Sequence, residues 1–225
     1  ATFKGSLTIQ GDWIQVSRLS FTRGSSSSDV LIYISGGDHV EISGNILRGS
    51  PMSAIFVGDG ENSADDVRIL GNRVSANGSD SRFHHGIYCG HARGAVIANN
   101  VVDHNAAFGI QVYPDCDDAD VANNTIVSNG ISGIVVGGSD GTRSDRARVV
   151  NNIIVGNRAN AVQTSWDGSG GSGLVQRNLV SSNGGGSFDA SGLAVSGNIA
   201  ARPAFVDLRR GIFRLTRGSA AVGRA

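Results

Sequence analysis

Seven asparagines, each with an aliphatic residue three places before it, recur along this chain at Asn45, Asn72, Asn100, Asn124, Asn152, Asn178 and Asn198. The intervals are 20 to 28 residues. Five blocks align in full, Val40–Asn45, Val67–Asn72, Ala95–Asn100, Ala119–Asn124 and Ala147–Asn152. Val175–Asn178 and Val195–Asn198 are shorter, and Ile14–Leu19 is a degenerate eighth copy. A chain that repeats itself in this way is built of units that each bury a face only against their neighbours. The period, about 26 residues, is too long for the shortest solenoid repeats and holds no helical stretch of the kind that leucine-rich and ankyrin units need.

Within each block the alternation is that of short strands. The residue at minus three is Ile42, Ile69, Ile97, Val121, Val149, Val175 or Val195, and the residue at plus two is Leu47, Val74, Val102, Ile126, Ile154 or Val180. Both columns are expected to point inward and stack on their copies above and below, which suits β-branched side chains. The asparagine between them marks a corner, because Asn tolerates left-handed backbone angles and its amide can bond the amide of the next rung. A second such ladder follows five residues on, at Asn77, Asn105, Asn129, Asn157 and Asn183, with Gly24 and Ser50 in the earlier rungs. A third strand carries the inward pairs Ile32/Ile34, Ile55/Val57, Ile87/Cys89, Ile110/Val112, Ile134/Val136 and Val162/Thr164. Three strands per lap give an all-β, single-stranded parallel β-helix of about eight rungs, roughly 40 Å long at about 4.8 Å per rung.

Composition fits short strands and tight corners, with 33 Gly against 3 Pro. The repeat runs without a linker, so one domain is expected over residues 1–225. Residues 1–12 form an incomplete N-terminal rung, 13–200 the repeats, and 201–225 a closing segment. Formal net charge is zero and no basic run occurs, so nothing draws the surface to nucleic acid or to anionic lipid. No apolar stretch approaches the roughly 20 residues of a membrane span. The chain opens on Ala1 with no signal peptide, which fits a processed, exported protein, secreted or at the cell surface.

The Asn-Asn corners Ala98–Asn100, Ala122–Asn124 and Val150–Asn152, with the strands Gly109–Val112 and Gly133–Val136, resemble the repeats of right-handed parallel β-helix proteins. That family includes pectate-lyase-like polysaccharide lyases and many bacterial surface proteins. Pro203–Asp207 followed by Ile212–Ser219 is similar to a closing segment of its bacterial members. The resemblance covers nearly the whole chain. It implies a right-handed coil and a polysaccharide partner, but lyases, hydrolases, epimerases and binding spikes all share the fold. Residues 1–11 look like the middle of such a helix, which implies a further segment or a homo-oligomer contact over the open end.

Because core residues recur in every rung, chemistry is sought among those that break the repeat. Four of the five histidines, His84, His85, His91 and His104, fall in the third and fourth rungs. There an insertion of five residues, about Gly78 to Arg82, precedes Phe83-His84-His85-Gly86. Lysis at a uronate needs a cation for the carboxylate, a base for the C5 proton and an acid for the leaving oxygen. Arg82 or Arg93 supplies the first, a histidine the second, and Tyr88 or Tyr113 the third. The expected catalytic set is Arg82, His84, His85, Tyr88, Asp103 and His104. Hydrolysis, which needs paired carboxylates, ranks below lysis, since the Asp clusters of β-helical polygalacturonases are not reproduced. Surface histidines and arginines that are merely solvated are the competing reading.

The outward column of the third strand reads Tyr33, Phe56, Tyr88, Gln111, Val135, Gln163, with Tyr113 and Trp166 just beyond. A row of exposed aromatics is a platform for sugar rings, and equally a set of strand-stabilising stacks. Tyr33, Phe56, Gln111, Tyr113, Trp166, Arg93 and His91 are therefore the expected substrate-binding residues. Asp115, Asp117, Asp118 and Asp120 are dense enough to hold Ca²⁺, the one cofactor considered, or are plain turn acids. Cys89 lies in an inward column and Cys116 one lap later. A disulfide needs their Cα atoms about 4.4 to 6.8 Å apart, and the pairing stays open. The leading function is β-elimination on an acidic polysaccharide. The alternatives are a non-catalytic carbohydrate-binding or structural spike, and a hydrolase or uronate epimerase.

Overall fold

The computed structural model describes residues 1–23, 30–80, 82–139, 141–167 and 170–223. The chain coils so that three sheets, A, B and C, run along its length with nine, eight and eight parallel strands. Each lap takes one strand from each sheet, as in Glu41–Ser43 of sheet C, Ile46–Arg48 of sheet A and Ile55–Val57 of sheet B. Inside each sheet the strands pair in register with those one lap before and after, so like positions form columns. Gly24, expected to open the second ladder, lies outside the described residues.

The inward columns make one continuous core in which Ile42, Ile69, Ile97, Leu47, Val74, Val102, Ile55, Ile87 and Ile110 are fully buried or nearly so. Each such side chain contributes about 1.5 to 3 kcal/mol of burial. Two expected members differ. Val195 pairs with Val175, but no strand covers its other side and it is 43% exposed. Thr164 is only half-buried.

Between the columns, each asparagine carboxamide spans two laps. Asn72 Oδ1 accepts both the backbone N–H (2.9 Å) and the Nδ2 (3.1 Å) of Asn45, while Asn72 Nδ2 donates to the Ile42 carbonyl at 2.7 Å. The pattern repeats through Asn100, Asn124, Asn152, Asn178 and Asn198. A parallel chain runs through Asn77, Asn105, Asn129, Asn157 and Asn183. The left-handed residue is not the bonded asparagine, however, but the one before it. Gly44, Gly71, Asn99, Asn123 and Asn151 have φ of 56° to 64°. That is why the corners read Gly-Asn or Asn-Asn: one residue bends the chain and the next ties it.

A third column, of aspartates, secures the corner between sheets B and C. Asp12, Asp38, Asp65, Asp117 and Asp145 each accept the backbone N–H of the equivalent residue one lap on, at 2.8 to 2.9 Å. Past the last lap, Phe205–Asp207 and Ile212–Leu215 form an antiparallel hairpin. It lies on sheet A, with the Gly211 carbonyl 3.1 Å from Arg73 Nη1 and the Phe213 ring under the Arg73 guanidinium.

Cys89 and Cys116 form a disulfide with Cα atoms 5.9 Å apart. It closes because the strand Ile110–Asp117 stacks along Ile87–Arg93 beyond Val112, with a shift of register between Cys89 and His91. Cys116 thereby turns into the core, and both cysteines are fully buried.

Asn100→Ala removes the acceptor of two Asn72 donors and the Nδ2 that donates to Asn124 Oδ1 and to the Ile69 carbonyl, in a site that is 1% exposed. At about 1 to 3 kcal/mol per stranded polar group, the variant is expected to lose about 3 to 5 kcal/mol in urea unfolding. Asn183→Ala, at a half-buried place in the second chain, is expected to lose clearly less.

Candidate functional site

The outward column of sheet B is in register as Tyr33, Phe56, Tyr88, Gln111, Val135 and Gln163. Phe56 stands between Tyr33 (centroids 5.4 Å) and Tyr88 (4.5 Å). Around the middle of this row lies an open groove of about 500 Å³. Its floor is Phe56, Tyr88, Gln111 and Val135, and its sides are His85, Phe108, Tyr113 and Ser165. Arg82 and Phe83 rise at one edge, the guanidinium 5.3 Å from the Phe83 centroid, and Phe83 is 66% exposed.

His85 enters the groove as part of a backbone-tying column. In that column Ser53 Oγ accepts the N–H of His85, and Ser132 Oγ accepts the N–H of Asn160 one lap on. His85 Nδ1 takes the same part, accepting the Phe108 N–H at 3.3 Å. Nδ1 is therefore the unprotonated nitrogen and Nε2 carries the proton. The ring stacks on Phe108 at 5.3 Å and lies 5.6 Å from Tyr88. Burial first, and the nearby His84 second, hold its pKa down to about 3, so it is a neutral donor at ordinary pH. Tyr88 is pushed up to about 12, by burial and then by the Tyr113 phenol, and keeps its proton. Gln111 Oε1 is shut off from solvent and finds no partner among the described residues.

Of the six residues expected to be catalytic, Arg82, His85 and Tyr88 line this groove, and the other three do not. His84 holds the insertion closed, its Nδ1 accepting the N–H groups of Asp80 (2.9 Å) and Ser79 (3.2 Å). His104 is the left-handed corner residue of its lap (φ 55°), in the column of Gly49, Ala76, Ser128 and Gly156. Asp103, on sheet A before that corner, is buried and bonds His104 Nδ1 at 2.9 Å, with Arg73 Nη2 3.4 Å away. Both therefore belong to the side that the closing hairpin covers.

The expected binding residues divide similarly. Phe56, Gln111 and Tyr113 are in the groove, and Tyr33 continues the row with its hydroxyl bonded to Asp59. That bond is the main cause of an Asp59 carboxyl held down to about 2. Trp166 is instead tucked against the closing laps, its Nε1 donating to the Ser191 carbonyl at 2.8 Å. His91 and Arg93 lie past the register shift, in a separate polar cleft with Asp59, Glu61, Asp65, Asp115 and Asp117.

The four acids considered for calcium are drawn to different partners. Asp118 accepts a two-pronged bond from Arg146 (2.6 and 2.8 Å), which lowers its pKa. Asp117 serves the aspartate column and also meets Arg146 at 3.1 Å. Asp115 lies 3.8 Å from His91, and Asp120 lies 3.9 Å from Arg148. Among the described residues no group of three or more His, Cys, Asp or Glu side chains is placed to hold a metal ion. Sequence reasoning passed over Phe108 and Ser165 as binding residues. Phe108 had a visible signal, being the one aromatic ring in the His85 column.

Because a folded-state pKa near 3 lies below the unfolded value of 6.5, the unfolded chain binds the His85 proton first. The stability that neutral His85 provides is present above pH 6.5 and is lost as pH falls toward 3. His85→Phe, which keeps an aromatic ring against Phe108, should remove that dependence. Between about pH 7 and pH 5 the native protein is expected to lose about 2 kcal/mol more than the variant, as read by urea unfolding.

No curated protein matches the chain in sequence. In structure it is similar to the pectate lyase Pel9A, with a TM-score of 0.68 and 13% identity, covering 98% of this chain and 80% of that one. It is also similar to the A-module of the Azotobacter vinelandii mannuronan C-5 epimerase AlgE6, with a TM-score of 0.65 and 18% identity, covering 90% of this chain and 58% of that one. The Dettilon tailspike protein shares the fold with a TM-score of 0.52 and 15% identity, covering 88% of this chain and 56% of that one. The family model described as "right handed beta helix region" matches residues 7–178, and the chain belongs to that family.

Proposed function

We propose that this protein binds an acidic polysaccharide along the outward face of sheet B. The observation that carries the reading is the make-up of the groove. Aromatic faces, the Arg82 cation and a neutral His85 donor line it together, and no carboxylate is among its lining residues. Sugar C–H faces pack on Phe56, Tyr88 and Phe108 as aliphatic groups do. A uronate carboxylate meets Arg82, and His85 Nε2 donates to a sugar oxygen. Secretion or display at a cell surface is the setting that suits such a ligand. The solved relatives named for pectate and mannuronan support this choice of ligand class.

β-Elimination is the second reading, favoured by Tyr88. A phenol that keeps its proton to about 12 beside Arg82 is suited to protonate a leaving oxygen. It ranks second because His85, with Nδ1 engaged by Phe108, does not supply the base.

Calorimetric titration with polygalacturonate and alginate oligomers tests the binding. Phe56→Ala is expected to weaken it about five- to tenfold. Arg82→Ala should weaken it about threefold at low salt and less as salt is added. Affinity unchanged in both variants would exclude the groove. The same mixtures, followed for the ultraviolet absorbance of unsaturated uronate, decide between lysis and binding alone.

A further inference from the structure

Zero net charge conceals a segregation. Residues 202–225 hold six arginines and one acid, Asp207, whereas residues 1–201 hold 13 basic side chains against 18 acidic ones. The closing segment is therefore a cationic unit of net charge +5 on an anionic rod of net charge −5. Attraction to an anionic partner follows such a local field rather than the sum over the chain. Arg202, Arg209, Arg210, Arg214 and Arg217 are all exposed. Arg210 meets Asp207 at 3.6 Å, and the side chains of the other four have no ion pair or hydrogen bond among the described residues.

Aliphatic side chains are interleaved with these cations. Val206, Leu208 and Ile212 are each 43 to 47% exposed. Ile46, 44% exposed, stands in register beside Arg73, the residue that holds the Gly211 carbonyl and the Phe213 ring. This face is not an end of the solenoid, because the hairpin lies back along sheet A and the strand of Arg73 beneath it is paired on both sides. Leu208, Arg209 and Arg210 occupy the turn at the hairpin tip, closed by the Gly211 N–H donating to the Leu208 carbonyl at 3.2 Å. The two aromatic rings of the segment, Phe205 and Phe213, pack on each other at 5.5 Å, and Phe213 is buried. What the outer face offers is thus guanidinium groups and aliphatic tips.

We infer that the closing hairpin is a docking surface for an anionic phospholipid membrane. Guanidinium groups pair with lipid phosphates through two-pronged bonds, and the aliphatic tips between them enter the boundary of headgroups and acyl chains. A polysaccharide or a single-stranded nucleic acid is held on aromatic faces, which the sheet B groove has and this face lacks. A second copy of the chain would have to supply carboxylates, but those of the B–C edge are engaged, Asp118 by Arg146, Asp115 by His91 and Asp65 by the Arg93 N–H. With sheet A toward the bilayer, the groove on sheet B stays open to its own ligand.

Sedimentation with vesicles of phosphatidylglycerol and phosphatidylcholine in equal parts, and with vesicles of phosphatidylcholine alone, tests this. Binding is expected to the first kind only and should fall as salt is added. Arg209→Gln, Arg214→Gln and Arg217→Gln together should weaken it about a hundredfold, while the three corresponding Lys replacements should keep it within about threefold. Leu208→Ser, which leaves the charge unchanged, should weaken it about fivefold. The inference is overturned by equal binding to both kinds of vesicle or to neither, by binding that the glutamine variant retains, or by a Leu208→Ser variant as strong as the parent. Capture of polygalacturonate or single-stranded DNA by these arginines with vesicles left unbound overturns it too, as does self-association through them in place of vesicle binding. The vesicle comparison and the salt response use the unaltered chain, so they decide even where a variant fails to fold. Arg82→Ala and Phe56→Ala should leave vesicle binding unchanged, so failure of the groove and failure of the hairpin surface are separable.

Discussion

The whole rod depends on the asparagine carboxamide that joins one lap to the next. Main-chain bonds between parallel strands fix the spacing of laps, but they do not by themselves forbid a slip of register along the strand. The carboxamide does, because its Oδ1 must meet two donors of one asparagine and its Nδ2 a carbonyl three residues before that asparagine, all in a buried place. A slipped lap would strand several polar groups at about 1 to 3 kcal/mol each. Two such chains and the aspartate column pin all three corners of the cross-section. Short strands of three residues suffice because the corners, rather than strand length, hold the register.

That constraint also explains how side chains close in sequence part company in space. A lap turns through three corners, so a few residues carry the chain from one face to another. His84 lies in the insertion, His85 in the sheet B groove, His91 in the polar cleft, and His104 on a corner next to sheet A. The sequence cluster is real as a count and dissolves as a site. His85 keeps its place because its Nδ1 does the work that a serine hydroxyl does in neighbouring laps. It is thus a structural acceptor whose ring also lines the groove.

Much of this was legible beforehand. Asn45, Asn72 and their copies gave the lap, and Ile42, Leu47 and Ile55 with their copies gave the core. The aromatic row of Tyr33, Phe56 and Tyr88 gave the face that carries the groove. What escaped depends on features without a periodic signature. The disulfide rests on a register shift after Cys89, which no residue spacing announces. The aspartate column, by contrast, was in plain view. Asp38, Asp65, Asp117 and Asp145 each stand seven places before a ladder asparagine. Once aligned in that way, Asp117 is a main-chain tie, and its neighbour Asp118 a corner residue bonded to Arg146. The same alignment places Trp13 six places before Leu19, in a column that elsewhere holds His, Asp, Gly and Arg.

The partition of charge follows from how the corners are built. A lap that ties its B–C corner with aspartate fills that edge with carboxylates, and Arg146, Arg148, Arg68 and His39 stand opposite acids there or on the adjoining sheet C. The asparagine ties are uncharged, so the ladder at the corner between sheets A and B brings no carboxylate of its own to the sheet B face. Arg82 arrives by an insertion rather than by the repeat, and its only acidic neighbour within 4 Å among the described residues is Asp80, at 3.8 Å. With its side chain 76% exposed, it is available to a ligand in a way that Arg146, engaged by two carboxylates, is not. The anionic ligand proposed for this rod would thus be held off the B–C edge and drawn to the sheet B groove, a preference set by which amide or acid ties each corner.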